Sequence, residues 1–467
     1  MRTPRPRPCA VTAAAGAAAL TAAALIAAPF TGTATAAATP AAPAPAAAGP
    51  AVRPVPAVAG HRLVKGADEP LSDEQCRATW GISCYTPLQY RRAYGLDPLY
   101  RAGITGRGRT VVVVDSFGSP TIQHDLDVYS KQFGLPSTTV QVVKWGDVPA
   151  FDPADNDHTS WAGESTLDVE MAHAVAPGAR IVLVETGVAE TEGVTGLPEM
   201  MDAEKYLIDH GVGDVVTQSF GATENTFPGF GQGDFSSIRR LRYAFEDARR
   251  RGVTVLASSG DGGATDAAED GRTDYPYPVN SWPSADPLVT SVGGTRLHLD
   301  AEGDRTAPDS VYNDYGAGGG GRSNVFPRPA YQDGVRNVVG DRRGTPDISM
   351  SAAVDGGAWV YSSYDPTAAG WEVYGGTSES SPLFAGIVAL ADQFAGRRLG
   401  DIHTALYALA EGDVGSTGIV DVDDGTDTTY DGVPGYTAVR GYDLATGVGT
   451  PDAARFVPAL AAAARPR

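Results

Sequence analysis

Four consecutive valines, Val111 to Val114, flanked by Thr110 and Asp115, constrain this chain more than any other feature of its sequence. β-branched side chains are stiff at χ1 and favour strands. A short apolar run without polar alternation is the pattern of a strand buried on both faces, as in parallel sheets. The same signal recurs at 179–185 (ARIVLVE), 213–217 (GDVVT) and 253–257 (VTVLA). Between these runs the apolar spacing predicts helices over 165–175, 197–210 and 235–251, with a further one over 378–394. Strands alternating with helices predict an α/β fold, a mostly parallel sheet with helices on both faces. In such sheets the reactive groups gather at the carboxyl ends of the strands.

The net charge of −20 argues against nucleic acid, whose phosphates demand clustered Lys and Arg, and against anionic membrane surfaces. A strongly acidic chain can remain folded and soluble at low pH, where its carboxylates begin to protonate and their repulsion falls. Gly (57) and Pro (34) lie between apolar runs rather than in one tract, so a loop-rich globular protein is expected.

Residues 1–36 carry Arg2, Arg5 and Arg7, then an Ala/Leu-rich run, then Ala34-Thr35-Ala36. This is the order of a cleaved secretory signal peptide, and Pro29 interrupts the run as a membrane anchor would not. Export is therefore expected, with the mature protein outside the cell. Residues 37–83 form a lead-in that is Pro/Ala-rich to about residue 60, and 84–463 read as one domain. Removing Cys9 leaves Cys76 and Cys84, and an oxidising compartment predicts a disulfide between them.

Three segments could carry chemistry. Gly375-Gly376-Thr377-Ser378-Glu379-Ser380-Ser381-Pro382 leads into the last apolar helix, where Ser378 would feel the positive dipole end. Alone, this serine is better read as a helix N-cap, the far commoner role for Ser at a helix start, and the Gly-Thr-Ser-x-Ser-x-Pro spacing is what makes the signal more specific. Glu164 and Asp168 are four residues apart, so on a helix their Cβ atoms lie about 6 Å apart. Buried, such a pair would share a proton and one pKa would rise, which suits a base working in acid. Exposed, it is an ordinary solvated face. Asp261 ends the strand 253–257 within Ser258-Ser259-Gly260-Asp261-Gly262-Gly263, either as a turn residue or, protonated, as a donor to an oxyanion. None of the seven histidines stands in a context that selects it as a base for serine.

Together these segments resemble the sedolisin family, the serine-carboxyl peptidases, over about residues 84–457. Further motifs extend the resemblance: Ala176-Pro177-Gly178-Ala179, Ser219-Phe220-Gly221, Gly318-Gly319-Gly320-Gly321-Arg322-Ser323 and Thr345-Pro346-Asp347-Ile348-Ser349. The resemblance implies a subtilisin-like fold, with Ser378 as nucleophile, Glu164 as general base, Asp168 as the residue that orients it, and Asp261 in the oxyanion hole. It implies that Ser219, Phe220 and Gly221 offer a backbone edge to a protein or peptide substrate. It leaves Asp115, which ends the first strand, as structural. It also implies one structural Ca2+ held by the side chains of Asp421 and Asp443 and the carbonyls of Val422, Val439 and Gly441. An EF-hand starting at Asp421 fails on spacing, because its sixth and twelfth positions are Thr426 and Gly432.

Two departures accompany the resemblance. The roughly 45 residues between the expected cleavage and the catalytic region are too few for the large folded pro-domain of such peptidases, so a chain without one is expected. Glu379 follows the nucleophile where a small residue is commoner, and its charge predicts that it points away from Ser378. The expected activity is internal cleavage of proteins in acid by a secreted monomer. A tripeptidyl exopeptidase and a non-catalytic exported binding protein are the alternatives. A glycosidase is excluded because two acids on adjacent turns of one helix cannot flank a sugar bond from opposite sides.

Overall fold

A computed structural model describes residues 64–464 apart from 413, 430 and 431. The expected signal peptide and the Pro/Ala-rich stretch lie outside the described residues. The valine run is the strand Thr110–Ser116, buried along its whole length at the centre of an eight-stranded sheet. Hydrogen bonding orders that sheet Ser310–Val311, Thr290–Arg296, Thr254–Ser258, Val215–Gln218, Thr110–Ser116, Arg180–Thr186, Val140–Trp145, and Ile348–Ser351 pairs with Thr290–Arg296. Every pairing is parallel except that of Ser310–Val311.

Strand periodicity sends alternate valines to opposite faces. Val111 and Val113 join one apolar cluster with Leu167, Leu383 and Ile387, from the helices Asn156–Val175 and Thr377–Ala395. Val112 and Val114 join another with Met200, Leu207 and Phe245, from Leu197–Asp209 and Tyr243–Arg251. All four valines are fully buried, and each such burial contributes on the order of 1.5 kcal/mol or more. Helices therefore cover both faces, as the alternation predicted.

The helix expected over 235–251 is broken into Ser236–Arg240 and Tyr243–Arg251. At the break Leu241 N–H turns to the Ile238 carbonyl, a tighter i→i−3 bond. A second sheet, of Val64–Ala67, Gly370–Tyr374, Gly357–Ser362 and Cys84–Tyr85 in that order, was not anticipated. It draws residues assigned to the lead-in into the fold. The disulfide Cys76–Cys84 (Cα–Cα 6.1 Å) ties the helix Asp73–Trp80 to this sheet, and Trp80 packs edge-on against Trp359. The boundary drawn at residue 84 is thus not a structural boundary. Among the described residues no helix is long and apolar enough to cross a membrane.

Candidate active site

Asn156–Val175 starts at Asp155, whose carboxylate caps the Asp157 and His158 N–H groups. From Trp161 onward the helix is buried all round, enclosed by the sheet and by the helix Thr377–Ala395. The two helices approach closely at Gly386, where a Cβ would sit 2.6 Å from Val175 Cβ. The i, i+4 carboxyls of Glu164 and Asp168 are consequently inside the protein, with 1% and 0% of their surfaces exposed. A solvated acidic face is ruled out.

The strand Gly370–Tyr374 delivers Gly375 and Gly376 to the start of the second helix. Gly376 has φ +117°, which a side chain would strain, and a Cβ there would lie 3.1 Å from Asp261 Oδ2. Asp261 accepts a hydrogen bond at Oδ1 from Thr377 N–H (2.7 Å), and Thr377 Oγ1 lies 3.1 Å from both the N and the O of Gly260. The Asp261 loop is thereby fastened to the helix N-terminus, one residue before Ser378. Ser378 is fully buried.

These groups share one electrostatic environment. Burial is the main cause that raises the Glu164 pKa well above the usual range, and the charges of Asp115 and Asp261 add to it. Ser378 lies near enough to favour ionised Glu164, although neither Glu164 oxygen nor Ser378 Oγ reaches hydrogen-bond geometry. Asp168 is also raised well above its usual value, by burial first and then by Glu164 and Asp115, with the Ser219 hydroxyl opposing. Asp115, also buried, is pushed up to about 7 by burial. Three like carboxyls in low dielectric resist ionising together, so the cluster holds protons above the usual carboxylate range while one member ionises. Chemically, ionised Glu164 can accept a proton from a hydroxyl beside it, and the Asp261 loop lies against the N-terminus of the helix that carries Ser378.

The structure brings Ser378, Glu164, Asp168 and Asp261 together from three distant segments. Asp115, read as structural, is close enough to raise both members of the acidic pair. Glu379 accepts a hydrogen bond from Tyr90 OH (2.8 Å) at Oε1, so its carboxyl is held against Tyr90. Ser219, expected to offer its backbone to substrate, donates its side-chain hydroxyl to Asp168 Oδ1 at 3.0 Å. Phe220 has its side chain in the core, so only its backbone could serve a substrate. Sequence spacing carried no signal for the Ser219 contact, because the partners are 51 residues apart.

His158, His173 and His403 are engaged elsewhere. His158 Nδ1 accepts from Asp152 N–H (3.0 Å), His173 Nε2 lies 2.9 Å from the Pro136 carbonyl, and His403 Nδ1 lies 2.8 Å from Asp401 Oδ1.

At the C-terminal end the five residues expected at calcium lie on two touching loops. Asp421 Oδ2 accepts from Gly441 N–H (2.9 Å), Asp443 Oδ2 accepts from Val439 N–H (2.8 Å), and Thr446 Oγ1 bridges Val422 O and Asp443 Oδ1. The donor set is all oxygen, which suits a hard cation. Among the described residues no group of three or more His, Cys, Asp or Glu is placed to hold a metal ion, and this cluster has two carboxylates.

A profile of the subtilase family matches residues 151–401, more than half of the chain. Kumamolisin from a Bacillus species is 31% identical over 391 residues, covering 81% of this chain and 64% of that protein. Sedolisin from a Pseudomonas species is 29% identical over 362 residues, covering 75% of this chain and 58% of its own. A solved structure of Pseudomonas sedolisin, a serine-carboxyl proteinase complexed with two molecules of pseudo-iodotyrostatin, superposes with a TM-score of 0.67 at 27% identity. That match covers 81% of this chain and 98% of the other. This chain belongs to the subtilase family. Within it, the chain is a sedolisin-like member, and it spans about three fifths of the length of the curated relatives.

Proposed function

We propose that this chain is a secreted serine-carboxyl endopeptidase that cleaves proteins in acid. The observation that carries the reading is a fully buried Ser378 beside buried Glu164, a carboxyl whose proton affinity burial raises, with His158, His173 and His403 engaged elsewhere. Glu164 takes the Oγ proton as Ser378 attacks the peptide carbonyl, forming the Oγ–C bond of a tetrahedral intermediate. Asp261, protonated, and the Ser378 backbone N–H donate to the oxyanion. Glu164 then returns the proton to the leaving amine as the C–N bond breaks, and water releases the acyl group by the same route. Asp168 holds Glu164 in orientation, and the backbone of Ser219 to Gly221 lines the substrate strand. Acid is required because Asp261 must carry a proton to donate one.

Cleavage of denatured protein from pH 2 to 8 tests the reading. Activity confined to acid and absent in Ser378→Ala is the expected result. Activity that peaks near neutrality would refute it. The products decide the mode of cleavage: internal fragments support an endopeptidase. A relative named tripeptidyl-peptidase sed4, from Aspergillus fumigatus, is 29% identical over 382 residues, and release of N-terminal tripeptides would favour that second reading.

A calcium ion fits the donor set of Asp421, Asp443 and the Val422, Val439 and Gly441 carbonyls. Bound there, it would supply cross-linking charge rather than chemistry and would hold the two loops together. Chelation with EGTA is expected to lower the melting temperature by about 3 °C, the effect on a fold of this size of losing a ligand held near 100 times its Kd. In Asp421→Ala the shift should vanish. An unchanged wild-type melting temperature would remove calcium from this site.

A further inference from the structure

Ser219 follows the strand Val215–Gln218, and its backbone belongs to the stretch proposed to line substrate. Its side chain does something else. Oγ donates to Asp168 Oδ1 at 3.0 Å, and both residues are 0% exposed. Two residues earlier, Thr217 Oγ1 and Ser381 Oγ lie 2.8 Å apart, also buried. One strand end is therefore hydrogen-bonded to both helices that carry the proposed catalytic groups. Asp168 Oδ2, in contrast, is buried without a partner at hydrogen-bond distance, on a carboxyl that interacts with Glu164.

We infer that Ser219 is a positioning residue for the proposed reaction, whose hydroxyl pins Asp168 Oδ1 as an acceptor so that the Asp168 proton resides on Oδ2, toward Glu164. This rests on the proposed role of Glu164 as base. A protonated carboxyl has one O–H to donate, and its other oxygen accepts. With Oδ1 occupied by Ser219, the O–H is left for Glu164. When Glu164 takes the Ser378 proton, one O–H bond breaks at Oγ and one forms on Glu164, while Asp168 and Ser219 keep theirs. The orientation that an aspartate imposes on the base of a serine triad is thus set one bond further out. Without the Ser219 hydroxyl, the Asp168 proton can sit on either oxygen and its carboxyl can rotate.

The test compares Ser219→Ala, Ser219→Val and Ser219→Thr with wild type and Glu164→Gln, on a chromogenic peptide and by melting temperature. Thr and Val match in shape, so their difference isolates the hydroxyl even if Ala or Val loosens the fold. Expected for Ala and Val is about a tenfold fall in kcat, the size of one charge-assisted hydrogen bond. KM should stay within about twofold. The acidic limb of the kcat profile should move to higher pH, because the ionised pair loses a donor, and Ser219→Thr should restore both. A raised KM with unchanged kcat would mean that Ser219 acts on substrate, and an unmoved kcat and limb would mean that it only satisfies a buried carboxyl. Either overturns the inference. Wild-type rates in Glu164→Gln, or an inactive wild type, would instead overturn the underlying reading and the inference with it.

Discussion

Glu164→Gln is expected to lower kcat by about 10³-fold or more while leaving the fold intact. A positioned general base contributes about 10²- to 10⁴-fold, and an amide cannot take the Ser378 proton. Gln keeps the shape of the side chain and removes a group whose ionisation burial already opposes, so the melting temperature should not fall. Asp261 gives the complementary prediction. Asp261→Ala removes the proposed donor to the oxyanion and should cost about 10²- to 10³-fold. Asp261→Asn keeps an N–H donor that does not titrate, so its loss should be smaller and its activity should extend to higher pH. Full kcat and KM profiles from pH 2 to 8 check both. Retention of activity within tenfold in Glu164→Gln would point to another base. An Asn variant as impaired as Ala, with no change in the alkaline limb, would mean that Asp261 does not act as a neutral donor.

The second large effect is on stability. Ser378→Ala protein, chosen to prevent self-digestion, should melt at least about 10 °C higher at pH 4 than at pH 7.5. Burial pushes several carboxyls up: Glu204 and Glu379 to about 8, Asp392 to about 8, Glu224 and Asp427 to about 7. A folded-state pKa above the unfolded one means that the unfolded chain releases its proton first. The stability is therefore present in acid and is lost as pH climbs from about 4.5 to about 8. Glu204 shows the effect alone, since burial is its sole cause and both its oxygens lack partners. Moving it from its usual 4.5 to about 8 is linked to at most ~5 kcal/mol.

His403 works in the same direction. Burial opposes its charge, but hydrogen bonds from its ring to Asp347 and Asp401 prevail and hold its pKa at about 9. Its contribution is complete below about 6.5 and is lost as pH rises through 9. Calorimetry across pH decides the matter, with Glu204→Gln expected to narrow the difference between pH 4 and pH 7.5. A melting temperature that is flat or rises with pH would contradict these burial effects. The expected decline with rising pH matches the acid activity proposed above, because burial raises these carboxyls as it raises Glu164 and Asp168.

The parallel sheet was legible because buried parallel strands are written as short uninterrupted β-branched runs, and four such runs marked strands that the structure contains. Thr290–Arg296 escaped notice because Gly293 and Gly294 dilute it, yet both are packed too tightly for a side chain: a Cβ would lie 2.5 Å from Ser349 Oγ at the first and 2.7 Å from Tyr312 Cδ1 at the second. Val140–Trp145 escaped because it is an edge strand, largely exposed, in which Gln141 and Lys144 break both the apolar run and any strict alternation. The second sheet was invisible because its strands come from opposite ends of the chain and pair through backbone bonds that no local pattern records.

For the site, the sequence determined the residue types and one spacing, the i, i+4 pair of Glu164 and Asp168 on a single helix face. Whether that face met water or the interior was a tertiary decision. Close helix packing at Gly386 and the sheet beneath enclosed it. Burial, unlike spacing, depends on what the rest of the chain brings alongside, and it turns two ordinary acids into a pair that retains protons. The contact from Ser219 to Asp168 belongs to the same class, because a hydrogen bond between residues far apart in sequence exists only once the strand and the helix have met.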